Sequence, residues 1–260
     1  MSSQPAPSDL HYHSLNPELQ ARLDKVELIT FDLDDTLWPL KATLMAAEEK
    51  QYAWLCEHAE RITTELTLVD VFEHRKLFLK AHPELRGDVT QMRKQSLHAL
   101  FRSYDYDEAR SHEMVGNVYE VFYVARSQVT LFDGAEQCLV SLRQKYKLAA
   151  LTNGNADLKI AGIEQLFDDA RFATVDTPAK PDPTMFLQCA QSLNVEPQNI
   201  LHVGDSIETD VTGAQRAGAL CAWFNPAHLD WPAEFAQQER PTVTISNLEY
   251  LLKLMPALLV

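Results

Sequence analysis

The alternation of apolar and polar positions changes character twice along the chain. Residues 26–31, Val26-Glu27-Leu28-Ile29-Thr30-Phe31, form a short and largely apolar run that reads as a buried strand. After Trp38-Pro39 strand-like runs disappear for roughly ninety residues and helical spacing takes over, predicting helices over 40–62, 66–80, 88–104 and 107–126. His82-Pro83, Arg86-Gly87 and the segment 103–107 punctuate this block as turns, the last with an N-cap candidate. From Val129 the two patterns alternate: helix 134–146, strand 147–152, helix 156–167, a short strand 171–174, helix 184–193, strand 199–203, helix 207–218 and strand 219–224. Strands separated by helices of this length imply a parallel sheet with right-handed crossovers. The first strand belongs with that later sheet, so the helical block is an insertion. The expected organisation is an α/β core formed by 1–38 and 130–260 and a separate helical bundle over 39–129. Residues 1–18, with Pro5, Pro7 and Pro17, read as a loose arm, with a short helix before the first strand, and the apolar tail 251–260 reads as a terminal helix packed on the core.

Composition narrows the class. The chain has 260 residues, enough for one large domain or a core domain with a smaller one, and is 46% hydrophobic and 23% charged, the profile of a soluble globular protein. A net charge of -14 argues against nonspecific partnership with nucleic acid or anionic membrane, since both depend on clustered Lys and Arg. Cys56, Cys138, Cys189 and Cys221 are scattered and form no CxxC pair, which suggests neither a zinc site nor a disulfide framework and fits reduced thiols in a cytoplasmic protein. Residues 1–10 lack the apolar core of a secretory signal, and the tail, interrupted by Lys253 and Pro256, is too short to span a bilayer.

Four polar clusters carry the candidate chemistry. The first is Asp32-Leu33-Asp34-Asp35-Thr36, where the first strand ends. Open α/β sheets bind ligands at such ends, and three carboxylates within four residues are costly there unless a cation or substrate joins them. The spacing lets Asp32 face a substrate as nucleophile while Asp34 reaches the leaving group as a proton donor; an acidic turn with a capping Asp is the plainer explanation. The second cluster, Thr152-Asn153-Gly154-Asn155, offers hydroxyl, amide and backbone N–H groups to phosphate oxygens, or else serves as an ordinary strand-to-helix turn. Lys180, between Ala179 and Pro181, either neutralises a phosphoryl group or is a solvated loop lysine. In the fourth, Gly204-Asp205-Ser206-Ile207-Glu208-Thr209-Asp210, Asp205 suits a hard cation and Asp210 supports the metal site or holds Lys180, with helix capping as the competing explanation.

All four clusters follow or adjoin strands of one predicted sheet. Together they match the motifs of the haloacid dehalogenase superfamily, and from Glu27 to Phe224 the chain resembles its phosphatases: Asp32-x-Asp34-x-Thr36, Thr152 with Asn153, Lys180, and Gly204-Asp205 with Asp210. An insertion after the first motif is where the subfamily with a four-helix cap places that cap. Within it, 31–38, 151–156 and 202–219 look most similar to bacterial flavin mononucleotide phosphatase-like hydrolases. The resemblance implies a Rossmann-like parallel-sheet core with a helical-bundle cap. It also implies a Mg²⁺-dependent phosphatase acting on a small phosphorylated metabolite through an aspartyl-phosphate, as monomer or homodimer. Asp32 would be nucleophile and Asp34 acid and base. Mg²⁺ would be held by the Asp32 carboxylate, the Asp34 carbonyl and Asp205, and phosphate by Thr152, Asn153 and Lys180. Such a site supplies locally the positive charge that an acidic protein lacks overall. A phosphomutase, a dehalogenase and a non-catalytic binding protein on the same fold remain as alternatives. Asp34 and Asp205 weigh against the dehalogenase, whose halide leaving group needs neither proton nor metal. Trp38, Tyr52 and Trp54 either stack on a planar substrate or pack the bundle.

Overall fold

The computed structural model describes residues 17–255. A short helix, α1 (Pro17–Leu23), leads into β1 (Leu28–Phe31), whose four residues are all buried. The chain then leaves the sheet for α2 (Leu40–His58), α3 (Glu60–Thr63), α4 (Leu68–Ala81), α5 (Val89–Ser103) and α6 (Glu108–Ser127). It returns through α7 (Ala135–Arg143), β2 (Lys147–Thr152), β3 (Asp169–Phe172), α8 (Thr184–Leu193), β4 (Ile200–Gly204), α9 (Thr212–Ala217), β5 (Leu220–Phe224), β6 (Val243–Ile245) and α10 (Glu249–Leu254). The strands form one sheet in the order β3-β2-β1-β4-β5-β6, every neighbouring pair parallel.

β1 lies between β2 and β4, so the chain departs to opposite sides of it and opens a crevice at the carboxyl ends of β1 and β4. The central strands β2, β1, β4 and β5 are largely apolar because both faces are covered, whereas the edge strands β3 and β6 are half-buried and partly polar. Ile29 and Phe31 join the core shared with α1, α7 and α10, while Leu28 packs with Met185, Phe186 and Ala214 of α8 and α9. The inserted helices enclose their own clusters, one around Leu55, Leu97, Phe101 and Val118 and one around Ala47, Tyr119 and Phe122. Asp88 and Asp107 accept from the third helical N–H of α5 and α6, and Thr67 and Asp70 form a reciprocal box at α4.

Several elements differ from the sequence expectation. The helix expected over 156–167 is a series of turns ending in the 3₁₀ turn Glu164–Leu166. Gly162 takes a left-handed φ of 78°, and the Asp157 carboxylate accepts from the N–H groups of Lys159 and Ile160, which draws the backbone into a local turn. The following strand lies two residues earlier than expected, because β3 pairs Ala149 with Asp169. The first long helix breaks at Ala59 (φ −138°, ψ 50°), and Ile207–Val211 is a π-helical turn ahead of α9. β6 had no counterpart in the sequence reading; it is three residues long and half-polar. Most of the expected arm, 1–16, and the last five residues of the expected terminal helix lie outside the described residues.

Candidate active site

The turn after β1 presents the first acidic cluster. Asp35 adopts a left-handed φ of 57°, its N–H reaches the Trp38 carbonyl at 2.7 Å, and its carboxylate accepts from the N–H of Leu40 at 2.9 Å, fixing where α2 starts. This leaves Asp32 on the sheet and turns Asp34 toward the helical block. Asp32 is 8% exposed and tied to the neighbouring strand through its N–H to Val203 at 2.8 Å.

Lys180 arrives from the loop before α8. Its backbone is held at both ends by the Asn153 side chain, which accepts from the Lys180 N–H at 2.7 Å and donates to the Lys180 carbonyl at 2.9 Å. The Lys180 ammonium, 3% exposed, donates to Asp32 Oδ1 at 2.7 Å and to Asp210 Oδ1 at 2.6 Å. Asp210 is further held by the Ser206 N–H at 3.0 Å and by His202 Nε2 at 3.2 Å. A carboxylate facing an imidazole at that distance accepts, so Nε2 carries the proton and Nδ1 accepts from the Thr30 hydroxyl at 2.8 Å. Gly204 makes the approach of Asp210 to β4 possible, because a Cβ there would overlap the Asp210 carboxyl carbon.

The electrostatics follow from burial. Burial raises Asp32 well above the usual carboxylate range against the pull of Lys180, with Asp210 and Asp34 adding to the rise. Burial alone would strip the Lys180 ammonium of its proton, but Asp210 and then Asp32 hold it above the ordinary lysine range. Burial opposes ionisation of Asp210 too, yet Lys180 and His202 keep it below its ordinary value. Asp205, on the turn after β4, is pushed up to about 7 by burial and by the charges of Asp210 and Asp35, against the opposing pull of its own backbone N–H and of a 3.3 Å hydrogen bond from the Thr36 hydroxyl.

Asp32, Asp205 and Asp210 each place an oxygen within 4.8 Å of the others. Asp210 already serves Lys180, His202 and Ser206, which leaves Asp32 and Asp205 as the carboxylates with capacity for a cation. Burial and neighbouring carboxylates raise both, and a divalent cation among them would offset that cost and hold them ionised, so these hard oxygen donors are a set that Mg²⁺ fits.

Asp34 has a different neighbour. Arg126, at the end of α6 and 2% exposed, donates through Nη2 to both Asp34 oxygens at 2.6 Å, and the Trp38 indole N–H adds a bond at 2.9 Å. A Cβ on Gly154 would overlap Asp34 Oδ2, so this carboxylate lies flat against the backbone after β2. The Thr152 hydroxyl, 1% exposed, accepts from the Gly154 N–H at 2.9 Å.

All the residues singled out from the sequence, Asp32, Asp34, Thr152, Asn153, Lys180, Asp205 and Asp210, line one cavity of about 470 Å³ between the sheet ends and the inserted helices. The Asn153 side-chain amide is engaged with the Lys180 backbone, while the residue itself lines the cavity. Trp38 is fully buried as a partner of Asp34, and Tyr52 and Trp54 pack in the helical block; none of the three lines the cavity. Sequence reading missed Arg126 and gave His202 no role. Ninety-two positions separate Arg126 from Asp34, and one of two arginines on a helix of mixed character carries no spacing signal.

A family model described as haloacid dehalogenase-like hydrolase matches residues 26–218. The chain is 29% identical to the 5-amino-6-(5-phospho-D-ribitylamino)uracil phosphatase YigB of Escherichia coli, over 90% of this chain and 98% of that one. It is also 29% identical to the E. coli pyrimidine 5'-nucleotidase YjjG, over 65% of this chain and 74% of the relative. Among solved structures, a 2-haloacid dehalogenase from Pseudomonas syringae superposes with a TM-score of 0.81 at 31% identity, covering 89% of this chain and 99% of that one.

Proposed function

The chain belongs to the haloacid dehalogenase-like hydrolases, and from that membership and the geometry of the cavity we propose that it is a Mg²⁺-dependent phosphatase of small phosphate monoesters. The observation that carries the reading is the pairing of two carboxylates with different surroundings at one strand end. Asp32 sits against Lys180, and Asp34, two residues on, sits against Arg126 in the same cavity. Asp32 attacks phosphorus in line, the P–O bond to the alcohol breaks, and the leaving oxygen takes a proton from Asp34. Asp34 then removes a proton from the water that attacks the aspartyl-phosphate, releasing phosphate and restoring Asp32. Lys180 balances charge on the phosphoryl oxygens, and the Thr152 hydroxyl and the N–H groups after β2 orient them. Asn153 acts through Lys180, whose backbone it fixes. Asp32, Asp205 and the Asp34 carbonyl would hold Mg²⁺, which would supply the positive charge that keeps Asp32 ionised and shields the phosphate.

The P. syringae neighbour carries a dehalogenase name, and a halide leaves without a proton. A second carboxylate in the cavity and an Asp205 raised to about 7 have no work in that reaction, whereas both serve an alkoxide leaving group and a cation. Relatives named as phosphatases of a phosphoribitylamino-pyrimidine and of pyrimidine nucleotides support a phosphorylated metabolite as substrate, with flavin mononucleotide and its phosphorylated precursors as candidates. Unpaired cysteines throughout the chain fit a cytoplasmic setting, and no helix among the described residues is long and apolar enough to cross a membrane.

The test is phosphate release from a panel of flavin mononucleotide, 5-amino-6-(5-phosphoribitylamino)uracil, pyrimidine nucleotides and sugar phosphates, with Mg²⁺ and with chelator. Metal-dependent release that Asp32→Asn abolishes is the expected result. Halide release from a 2-haloacid with no phosphate released from any ester would overturn the reading.

A further inference from the structure

The roof of the cavity carries charge that the phosphate chemistry on its floor does not use. Glu48 of α2 is 8% exposed and faces Arg75 of α4, which donates to both of its oxygens, at 3.0 and 2.5 Å. One cation against one carboxylate is already a complete bidentate pair. Arg93 of α5 is a second guanidinium on the same carboxylate: Nη2 donates to Glu48 Oε1 at 2.8 Å and Nη1 to Gln51 Oε1 at 3.0 Å. Its guanidinium carbon lies 3.4 Å from the Phe122 ring centroid, and Arg75 lies over Phe72 at 4.9 Å. Among the described residues no other carboxylate bonds either arginine. The cluster therefore buries one positive charge more than its own pairing requires, and burial with the nearby Arg75 pulls Arg93 down to about 10. An unbalanced buried cation is costly to keep. Arg75, Arg93, Phe72 and Phe122 all line the same cavity as Asp32 and Lys180.

We propose that Arg93, backed by Arg75, is a specificity-determining residue that receives an oxygen-acceptor group at the non-reacting end of the substrate. The group is planar and rich in oxygen acceptors, either a carboxylate or the paired carbonyls of a pyrimidine-type ring, matching the surplus charge and the guanidinium N–H groups that Glu48 and Gln51 leave unused. Phe72 and Phe122, with Arg75 and Arg93 lying over their rings, back that end of the cavity with apolar surface. The assignment rests on the phosphatase reading, in that the phosphate end lies on Asp32 and Lys180.

Titration calorimetry on the Mg²⁺-saturated full chain tests it with three sets of non-hydrolysable ligands. These are alkylphosphonates, ω-phosphonocarboxylates of graded length, and the phosphonate analogue of uridine monophosphate with its base-free counterpart. Arg93→Met keeps an apolar stem on Phe122 and leaves Glu48 balanced by Arg75, so the cap retains its fold; Arg93→Lys keeps the charge and removes the fork, and answers the question if the first variant unfolds. An acceptor-bearing ligand is expected to bind the wild type about 10- to 100-fold more tightly than its bare match. R93M brings that ratio close to one without changing affinity for the bare phosphonate, and R93K falls between. Whichever set shows the advantage identifies the acceptor as charged or neutral. A ratio near one at every length and in the pyrimidine pair, or a ratio that survives both substitutions, overturns the assignment. Phosphate release from p-nitrophenyl phosphate is measured alongside. Absence of release with the binding ratio intact strikes the hydrolytic reading alone, and release without the ratio strikes only the role of Arg93.

Discussion

Lys180 is the residue on which the floor of the cavity depends, because a single ammonium neutralises two buried carboxylates, Asp32 and Asp210. Removing it leaves uncompensated buried charge, so Lys180→Met is expected to cost on the order of 3–5 kcal/mol of stability, read by urea unfolding, together with loss of turnover. Gly154 gives the opposite split. A Cβ there collides with the Asp34 carboxylate and crowds only the polar ends of Thr152 and Arg126 beside it, so Gly154→Ala should cut turnover by about 10²-fold while the unfolding midpoint moves less than for Lys180→Met. Arg126, with the Trp38 indole, fixes the position of the Asp34 carboxylate that is to meet the leaving group. Arg126→Met should therefore lower kcat more for esters of basic alcohols, which need protonation, than for p-nitrophenyl phosphate, whose leaving group does not. An equal loss on both would show that the arginine only holds the fold. These residues were not equally legible. Asp32, Asp34 and Asp205 follow apolar strands, where a carboxylate is conspicuous because it is expensive. Arg126 and His202 act through tertiary contacts that no local pattern announces.

At the scale of elements, the ends of β1 and β4 bring Asp32 and Asp205 together because the two strands pair in register from Leu28 with Ile200 onward. This juxtaposition has a thermodynamic consequence. Asp205 is raised in the folded, metal-free protein to about 7 from an unfolded value near 4, so the native state binds the proton more tightly. Its contribution to stability is fully present below about pH 4 and is lost as pH rises through about 7. Asp32, raised as well, acts in the same sense. The difference in melting temperature between the wild type and Asp205→Asn in chelator should therefore shift against the wild type as pH rises across that window, His202 acting equally in both, and the increment conferred by Mg²⁺ on the wild type should grow over the same range as the cation replaces the proton. A Mg²⁺ increment independent of pH would remove Asp205 from the ligand set. The central strands were readable because parallel strands buried on both faces are continuous apolar runs, and the half-buried edge strands β3 and β6 were shifted or missed. The segment 156–167 was not, because its buried positions Ala156, Leu158, Ile163 and Leu166 are apolar without being helical. There the Asp157 turn and Gly162 outweighed helical propensity.

For the molecule as a whole, the inserted helices have apolar clusters of their own and meet the sheet through a few polar contacts around the cavity. Arg126 reaches Asp34, the Tyr123 hydroxyl donates to Asp157 at 3.1 Å, and the Asn155 amide donates to Thr90 at 3.2 Å and Tyr119 at 3.3 Å. Each bond joins the insertion to the turn after β1 or to the segment after β2, the two places where phosphate chemistry is expected. Polar contacts of this kind exchange with water at little net cost, whereas separate apolar cores do not. The block over 39–129 should thus move as a unit, pivoting at 38–40 and 128–134, and a ligand on Lys180 should favour the closed arrangement. Hydrogen exchange with Mg²⁺ and orthovanadate is expected to slow together at the turn 32–38, at 152–157 and along the cavity-facing turns of α4, α5 and the end of α6, leaving the buried centre of the bundle unchanged. Tyr123→Phe should weaken protection on the helical side without altering it at Asp32. Protection confined to the sheet ends in the wild type would mean that vanadate binds without drawing the helices down, and the insertion would then be a fixed wall instead of a closing cap.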